Sequence, residues 1–195
     1  ALVDADRLDT EAHGSPSNTD MRAKHHADQS EMNLLFERLQ VHQNQKTLED
    51  ALEPKPINAL RRQMYAAALE NVSAAQGFFR LTMPTGGGKT LTSLAFALQH
   101  AHLHGLRRVI YVAPFTTIID QTAQVFREVL EQEGEFKVLE HHSNLEPKER
   151  PDDGLENQSN ASELATENWD APVIVTTTVR LFQETLFGTR TAQLR

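Results

Sequence analysis

A chain of 195 residues with 39% hydrophobic content can build one core of about 150 residues plus a polar remainder, which excludes collagen-like, low-complexity and wholly disordered classes. Zero Cys excludes a disulfide scaffold and every Cys-ligated zinc or iron–sulfur site, and fits a reducing compartment. The net charge of −8 is uneven: residues 1–57 carry −5, residues 58–130 carry +4 and residues 131–195 carry −7, so only the middle third suits a polyanion.

The start, Ala1-Leu2-Val3-Asp4, has neither an initiator Met nor a basic-then-apolar signal, so the chain is expected to be cut from something longer. Leu2, Val3, Ala5 and Leu8 suit a helix end that runs to about His13, before Gly14-Ser15-Pro16-Ser17-Asn18 breaks it. From Thr19 to about Asp50 the chain is polar, and Leu34, Leu35 and Leu39 mark a connecting helix. Pro54 and Pro56 punctuate a boundary, and Leu60, Met64, Ala67 and Ala68 predict a helix up to about Val72.

Strand and helix then alternate. Phe78–Thr82 is predicted as a short strand, and Lys89 to about His104 as a helix with an apolar stripe at Leu91, Leu94, Ala95, Leu98 and Ala101. Gly105 stands where a helix cap belongs. Val109–Val112 reads as a buried strand ended by Pro114, and Ile118, Thr122, Val125, Phe126 and Val129 mark a helix stopped near Gly134. Phe136–Leu139 is a further strand. A surface loop is expected over 144–160 and a short helix over 161–168, before the apolar strand Val173–Thr177. Apolar strands alternating with helices imply an α/β fold with a parallel sheet covered on both faces. No run reaches the roughly 18–20 apolar residues that span a bilayer, so no membrane association is expected.

The strongest motif is Met83-Pro84-Thr85-Gly86-Gly87-Gly88-Lys89-Thr90, which matches G-x-x-x-x-G-K-[ST] except that Met83 takes the first Gly position. Glycines let successive backbone N–H groups curl around a phosphate, and the helix that follows turns its positive end toward it. Lys89 is expected on the β- and γ-phosphates and the Thr90 hydroxyl on Mg2+. Residues 83–90 are thus the expected cradle for a nucleoside triphosphate and Mg2+, with Lys89 and Thr90 as its catalytic groups. A Gly-rich turn that merely ends in Lys-Thr is the plainer alternative.

With that loop placed, other segments fall where superfamily 2 helicases have theirs. Asn58-Ala59-Leu60-Arg61-Arg62-Gln63 resembles the Q-motif, which implies that Gln63 brackets the adenine edge. Ala113–Gln121 resembles motif Ia and Val173–Leu181 resembles motif Ib. The resemblance implies contacts from Pro114, Thr116, Thr117, Gln121, Thr177, Thr178 and Arg180 to a single-stranded DNA backbone, read without regard to sequence.

A narrower likeness adds to this. Leu2–Glu11 is similar to the end of an HD-type nuclease domain, and Leu81–Thr90, Tyr111–Gln121 and Glu167–Thr176 are similar to the type I CRISPR-associated helicase–nuclease. It implies three parts: the end of an all-α HD domain over 1–14, a helical and polar linker over 15–55, and the first RecA-like P-loop domain, incomplete, over 56–195. Asp6, with Asp4 as second choice, would be a carboxylate ligand for a divalent transition metal in the HD site of the longer protein. An exposed acidic helix end is the structural alternative for both.

The implied protein is an ATP-dependent single-stranded DNA translocase coupled to a metal-dependent nuclease, recruited by an RNA-guided multisubunit CRISPR complex in the cytoplasm of a prokaryote. The DExH box, the other HD ligands and the second motor domain are missing from these residues, so the fragment alone is expected to be inactive. Two alternatives stay open: a non-hydrolysing nucleotide-binding or docking module, and a generic superfamily 2 repair or RNA helicase. Among the histidines, His100 and His104 share a helix face, His25-His26 lie in polar chain and His141-His142 follow a strand. Trp169 suits packing beside Pro172 better than base stacking.

Overall fold

The structure, a computed structural model, describes residues 29–52, 55–142, 169 and 171–183. The chain divides into two compact units, one of residues 28–109 and one that contains the residues from 110 onward.

The first unit is helical where it is regular. Helix α1 (Gln29–Leu52) places Met32, Leu35 and Leu39 at i, i+3 and i+7, and all three are fully buried. Leu34, expected on the same stripe, is part-exposed instead. Full burial of such side chains contributes about 1.5–3 kcal/mol each, which explains how a polar helix holds its place. Helix α2 (Pro56–Leu69) opens with a proline, whose missing N–H lacks a partner there in any case. Helix α3 (Lys89–His104) packs against both α1 and α2 and buries Leu94, Ala95, Leu98 and Ala101. Gly105 ends it at φ +67°, which lets the Leu106 N–H donate to the Ala101 carbonyl at 2.8 Å.

Phe78–Thr82 does not form the expected strand. Propensity favours a strand there, but extended backbone becomes a strand only when a neighbour supplies ladder hydrogen bonds, and no strand among the described residues pairs with this segment. The segment is exposed and is held by a ring: Phe79 meets Phe96 edge-on at 5.0 Å and His100 at 5.1 Å, and Phe96 stacks on His100 at 5.5 Å.

In the second unit, strand β1 (Val109–Ala113), helix α4 (Thr116–Leu130), strand β2 (Val138–His141), strand β3 (Val173–Thr177) and the short helix α5 (Thr178–Phe182) follow in order. They build a small parallel sheet with β3 between β1 and β2. The β2–β3 register pairs Val138 with Val173 and His141 with Thr176. β2 begins two residues later than its propensity suggested, because the Glu131 carboxylate accepts the amides of Lys137 and Val138, each at 2.8 Å, and so fixes where pairing starts. Every residue of β3 is buried, as a central parallel strand requires.

Helix α4 buries Ile119, Thr122, Ala123, Phe126, Val129 and Leu130, with Tyr111 edge-on to Phe126 at 5.4 Å. Leu139, Trp169, Ala171 and Ile174 make a second cluster, backed by Ile110, Phe136 and Leu181. The α/β class expected from the alternating pattern is the class observed, in keeping with part of a RecA-like fold. Residues 144–168, the first 28 residues and their helix end lie outside the described residues.

Candidate functional site

The glycine loop stands directly before α3. Gly86 and Gly88 have φ of +76° and +86°, conformations that L side chains rarely adopt, and Gly88 is the N-cap of the helix. Gly87 is needed for another reason: a Cβ there would lie 3.0 Å from the Pro84 carbonyl oxygen, which already accepts the Gly87 N–H at 3.1 Å. The loop is therefore a closed turn of bare backbone.

Lys89 and Thr90 are the first two residues of α3, with Lys89 exposed and Thr90 half-buried. The first helical hydrogen bond runs from Thr92 N–H to the Gly88 carbonyl, at 3.1 Å, so the amides just before it have no intrahelical acceptor. No acidic residue occupies the first turn. Unpaired amides, a helix dipole and one ammonium at the same end form a chemical match for a phosphate chain. Pro84 and Thr85 are exposed, whereas the Met83 side chain is buried and packs as well as contributing backbone.

Helix α2 meets this loop through a residue that the motif comparison left without a role. Arg61 Nε donates to the Gly86 carbonyl at 2.8 Å, and its Nη1 donates to Asn58 Oδ1 at 2.9 Å. Gln63 is exposed and projects from nearly the opposite side of the helix, since residues two apart do not share a face. His100 Nδ1 donates to the Val72 carbonyl at 2.8 Å and His104 Nε2 to the Ala74 carbonyl at 2.9 Å, tying the α2–α3 connection to α3.

In the second unit the expected backbone-contact residues gather at one edge. Pro114, Thr116, Thr117 and Gln121 follow the carboxyl end of β1, while Thr177 ends its neighbour β3 and Thr178 and Arg180 follow it. Pro114, Thr117, Gln121 and Thr178 are exposed. Thr177 is buried and serves as the N-cap of α5, its hydroxyl accepting the Arg180 N–H at 3.2 Å.

Arg180 Nε lies 3.1 Å from His141 Nε2, while Trp169 Nε1 donates to His141 Nδ1 at 2.8 Å. Both neighbours are donors. A neutral imidazole has one ring lone pair, so it serves them one at a time, and an imidazolium serves neither. Trp169, fully buried at φ +56°, is thus a core residue that orients His141.

Beside it, His142 Nε2 lies 2.9 Å from Asp120 Oδ1 and 3.1 Å from Glu140 Oε1, and Glu140 Oε2 accepts from Arg127 at 2.9 Å. The three ligand-type atoms lie within 4.8 Å of one another, a donor set that would suit a cation, here linked by the histidine N–H. Sequence spacing gave no sign of this cluster, because Asp120 comes from α4 while Glu140 and His142 come from β2 and the residue after it. Asp4 and Asp6 lie outside the described residues, as do His25 and His26.

Residues 54–193 match the family described as the type III restriction enzyme, res subunit. That is 140 of 195 residues, so the match covers most of the chain and includes the glycine loop and the sheet edge just described. The chain belongs to this family. It carries a superfamily 2 helicase-like domain of a helicase and ATPase type, and such a domain implies nucleotide and nucleic-acid binding. No match to the chain is found among curated proteins. No helix among the described residues is long and apolar enough to cross a membrane.

Proposed function

We propose that the chain is the nucleotide-binding part of an ATP-driven translocase on single-stranded DNA. The observation that carries this is the closed, glycine-bent turn at the head of α3, with Lys89 and Thr90 on its first two helical positions. A bound MgATP supplies a phosphoanhydride whose hydrolysis drives movement. Within this chain, residues 86–90 hold phosphate oxygens through the amides that the Gly87–Pro84 turn bond leaves open, Lys89 neutralises their charge and the Thr90 hydroxyl holds Mg2+. Gln63 contacts the adenine edge. The carboxyl edge of the sheet, with Pro114, Thr116, Thr117, Gln121, Thr177, Thr178 and Arg180, grips the strand backbone.

The family's description, a restriction-enzyme subunit, supports DNA rather than RNA as the polymer. The likeness of Leu2–Glu11 to an HD domain supports coupling to a metal-dependent nuclease, with Asp6 or Asp4 as a ligand, and recruitment to a CRISPR complex in a prokaryotic cytoplasm.

The test is a titration of the intact protein with a fluorescent ATP analogue and Mg2+. The expected result is saturable binding that Lys89→Ala weakens about a hundredfold, with ATPase activity stimulated by single-stranded DNA. Undiminished binding in that variant refutes the motor assignment. Single-strand cleavage that needs a transition metal and is lost in Asp6→Ala would establish the coupled nuclease; a protein with ATPase but no such cleavage is a helicase of another branch.

A further inference from the structure

Three consecutive glycines give residues 86–88 more conformational freedom than any other stretch of the described chain, and that freedom must be removed before a phosphate chain can be gripped. The Gly86–Gly87 peptide is held at both ends. Its N–H donates to the Pro84 carbonyl at 3.1 Å, within the turn itself, and its carbonyl accepts from Arg61 Nε at 2.8 Å, from a different helix. With that peptide plane fixed, the amides that follow it into α3 are the ones left for a ligand.

Arg61 is itself anchored. Its Nη1 donates to Asn58 Oδ1 at 2.9 Å, one turn earlier on α2. Asn58 is 94% buried, and its Nδ2 donates to Asp50 Oδ1, near the end of α1, at 2.5 Å. Asp50 Oδ2 also lies 3.8 Å from Arg62. A planar guanidinium satisfies two acceptors at once in a fixed geometry, which a flexible ammonium does not. The polar chain Asp50–Asn58–Arg61–Gly86 thus runs from α1 through α2 to the phosphate loop, all within the first unit.

We propose that Arg61 is a positioning residue that braces the phosphate loop in its ligand-ready form, and that Asp50 and Asn58 hold Arg61 for this purpose. The proposal rests on the nucleotide reading above. It assigns Arg61 an action through the Gly86 carbonyl, not a direct charge on the phosphates. It also makes α1 part of the nucleotide site's support, since the end of that helix sets the far end of the brace.

The experiment measures MgATP-analogue affinity in the intact protein for Arg61→Ala, Arg61→Lys, Asn58→Ala and the Arg61→Ala/Asn58→Ala double variant. Amide hydrogen exchange of Gly87 without nucleotide is measured alongside. Arg61 is exposed, so its replacement leaves the core intact. Arg61→Ala and Arg61→Lys should both weaken binding by about tenfold and accelerate Gly87 exchange, with Asn58→Ala weaker in effect. The double variant should be no worse than Arg61→Ala alone, because the two residues act in series. Wild-type affinity in Arg61→Lys would show that positive charge alone matters and would overturn the brace, as would unchanged affinity in Arg61→Ala. Binding abolished by Lys89→Ala but kept by both Arg61 variants would leave the nucleotide site standing and remove only the brace. No saturable binding by the unsubstituted protein would remove both.

Discussion

The phosphate loop and the carboxyl edge of the sheet are both proposed to handle phosphates, yet they are built from opposite materials. The loop is one contiguous stretch, residues 83–90, whose shape follows from left-handed glycines and a Cβ that cannot fit at Gly87. The sheet edge collects residues from β2, β3, α4 and the turns beside them that are far apart in sequence, and beneath its exposed threonines lies a network of side chains occupied with one another: Trp169 with His141, Thr176 Oγ1 with the His141 carbonyl, His142 with Asp120 and Glu140. Backbone chemistry makes the first site local and repeatable in sequence. Side-chain networks make the second one a product of packing, and so invisible until the strands are paired.

Three substitutions would sharpen or break that contrast. The largest effect is expected at the sheet edge. Trp169→Ala removes a fully buried indole and the donor to His141, and should lower unfolding stability by about 3–5 kcal/mol in denaturant titration. A change under about 1 kcal/mol would mean that the edge is not organised by its core. At the loop the expected pattern is reversed. Gly87→Ala forces a Cβ against the Pro84 carbonyl and should weaken nucleotide binding at least tenfold, about 1.4 kcal/mol, with little change in thermal stability. A drop in stability larger than the drop in affinity would show that the loop is structural.

The smallest effect concerns Tyr65 on α2. Its hydroxyl is buried without a hydrogen-bond partner among the described residues, and burial pushes its pKa up to about 12. An unfolded tyrosine ionises near pH 10, so stability from this group is intact below pH 10 and is lost as pH rises toward 12. Tyr65→Phe should leave neutral-pH stability unchanged or raise it by less than about 1 kcal/mol, and should flatten that alkaline loss. An unchanged alkaline limb would locate the titration elsewhere.

Much of the frame was legible before folding. The bounds of α3, the strand at Val173–Thr177 and the cap at Gly105 follow from apolar periodicity, a β-branched run and a single residue's access to positive φ. The misplaced elements share one cause. Phe78–Thr82 has strand-forming residues but no ladder partner among the described residues, and β2 shifts because Glu131, outside the strand, takes the amides of Lys137 and Val138. Leu34, Leu35 and Leu39 announced a helix, but not that α1 packs on α3 and carries Asp50, the start of the brace, in its last turn.

By itself, the sequence determined the α/β class, the position of the phosphate loop and the helix behind it, because glycine conformations and helical periodicity are properties of a few neighbouring residues. Only the tertiary structure decided that Arg61, not Gln63, meets that loop, that Trp169 serves His141, and that Asp120, Glu140 and His142 share a proton's reach. Those choices depend on which distant side chains arrive within about 3 Å with matching donors and acceptors, and such distances exist only after the elements have packed.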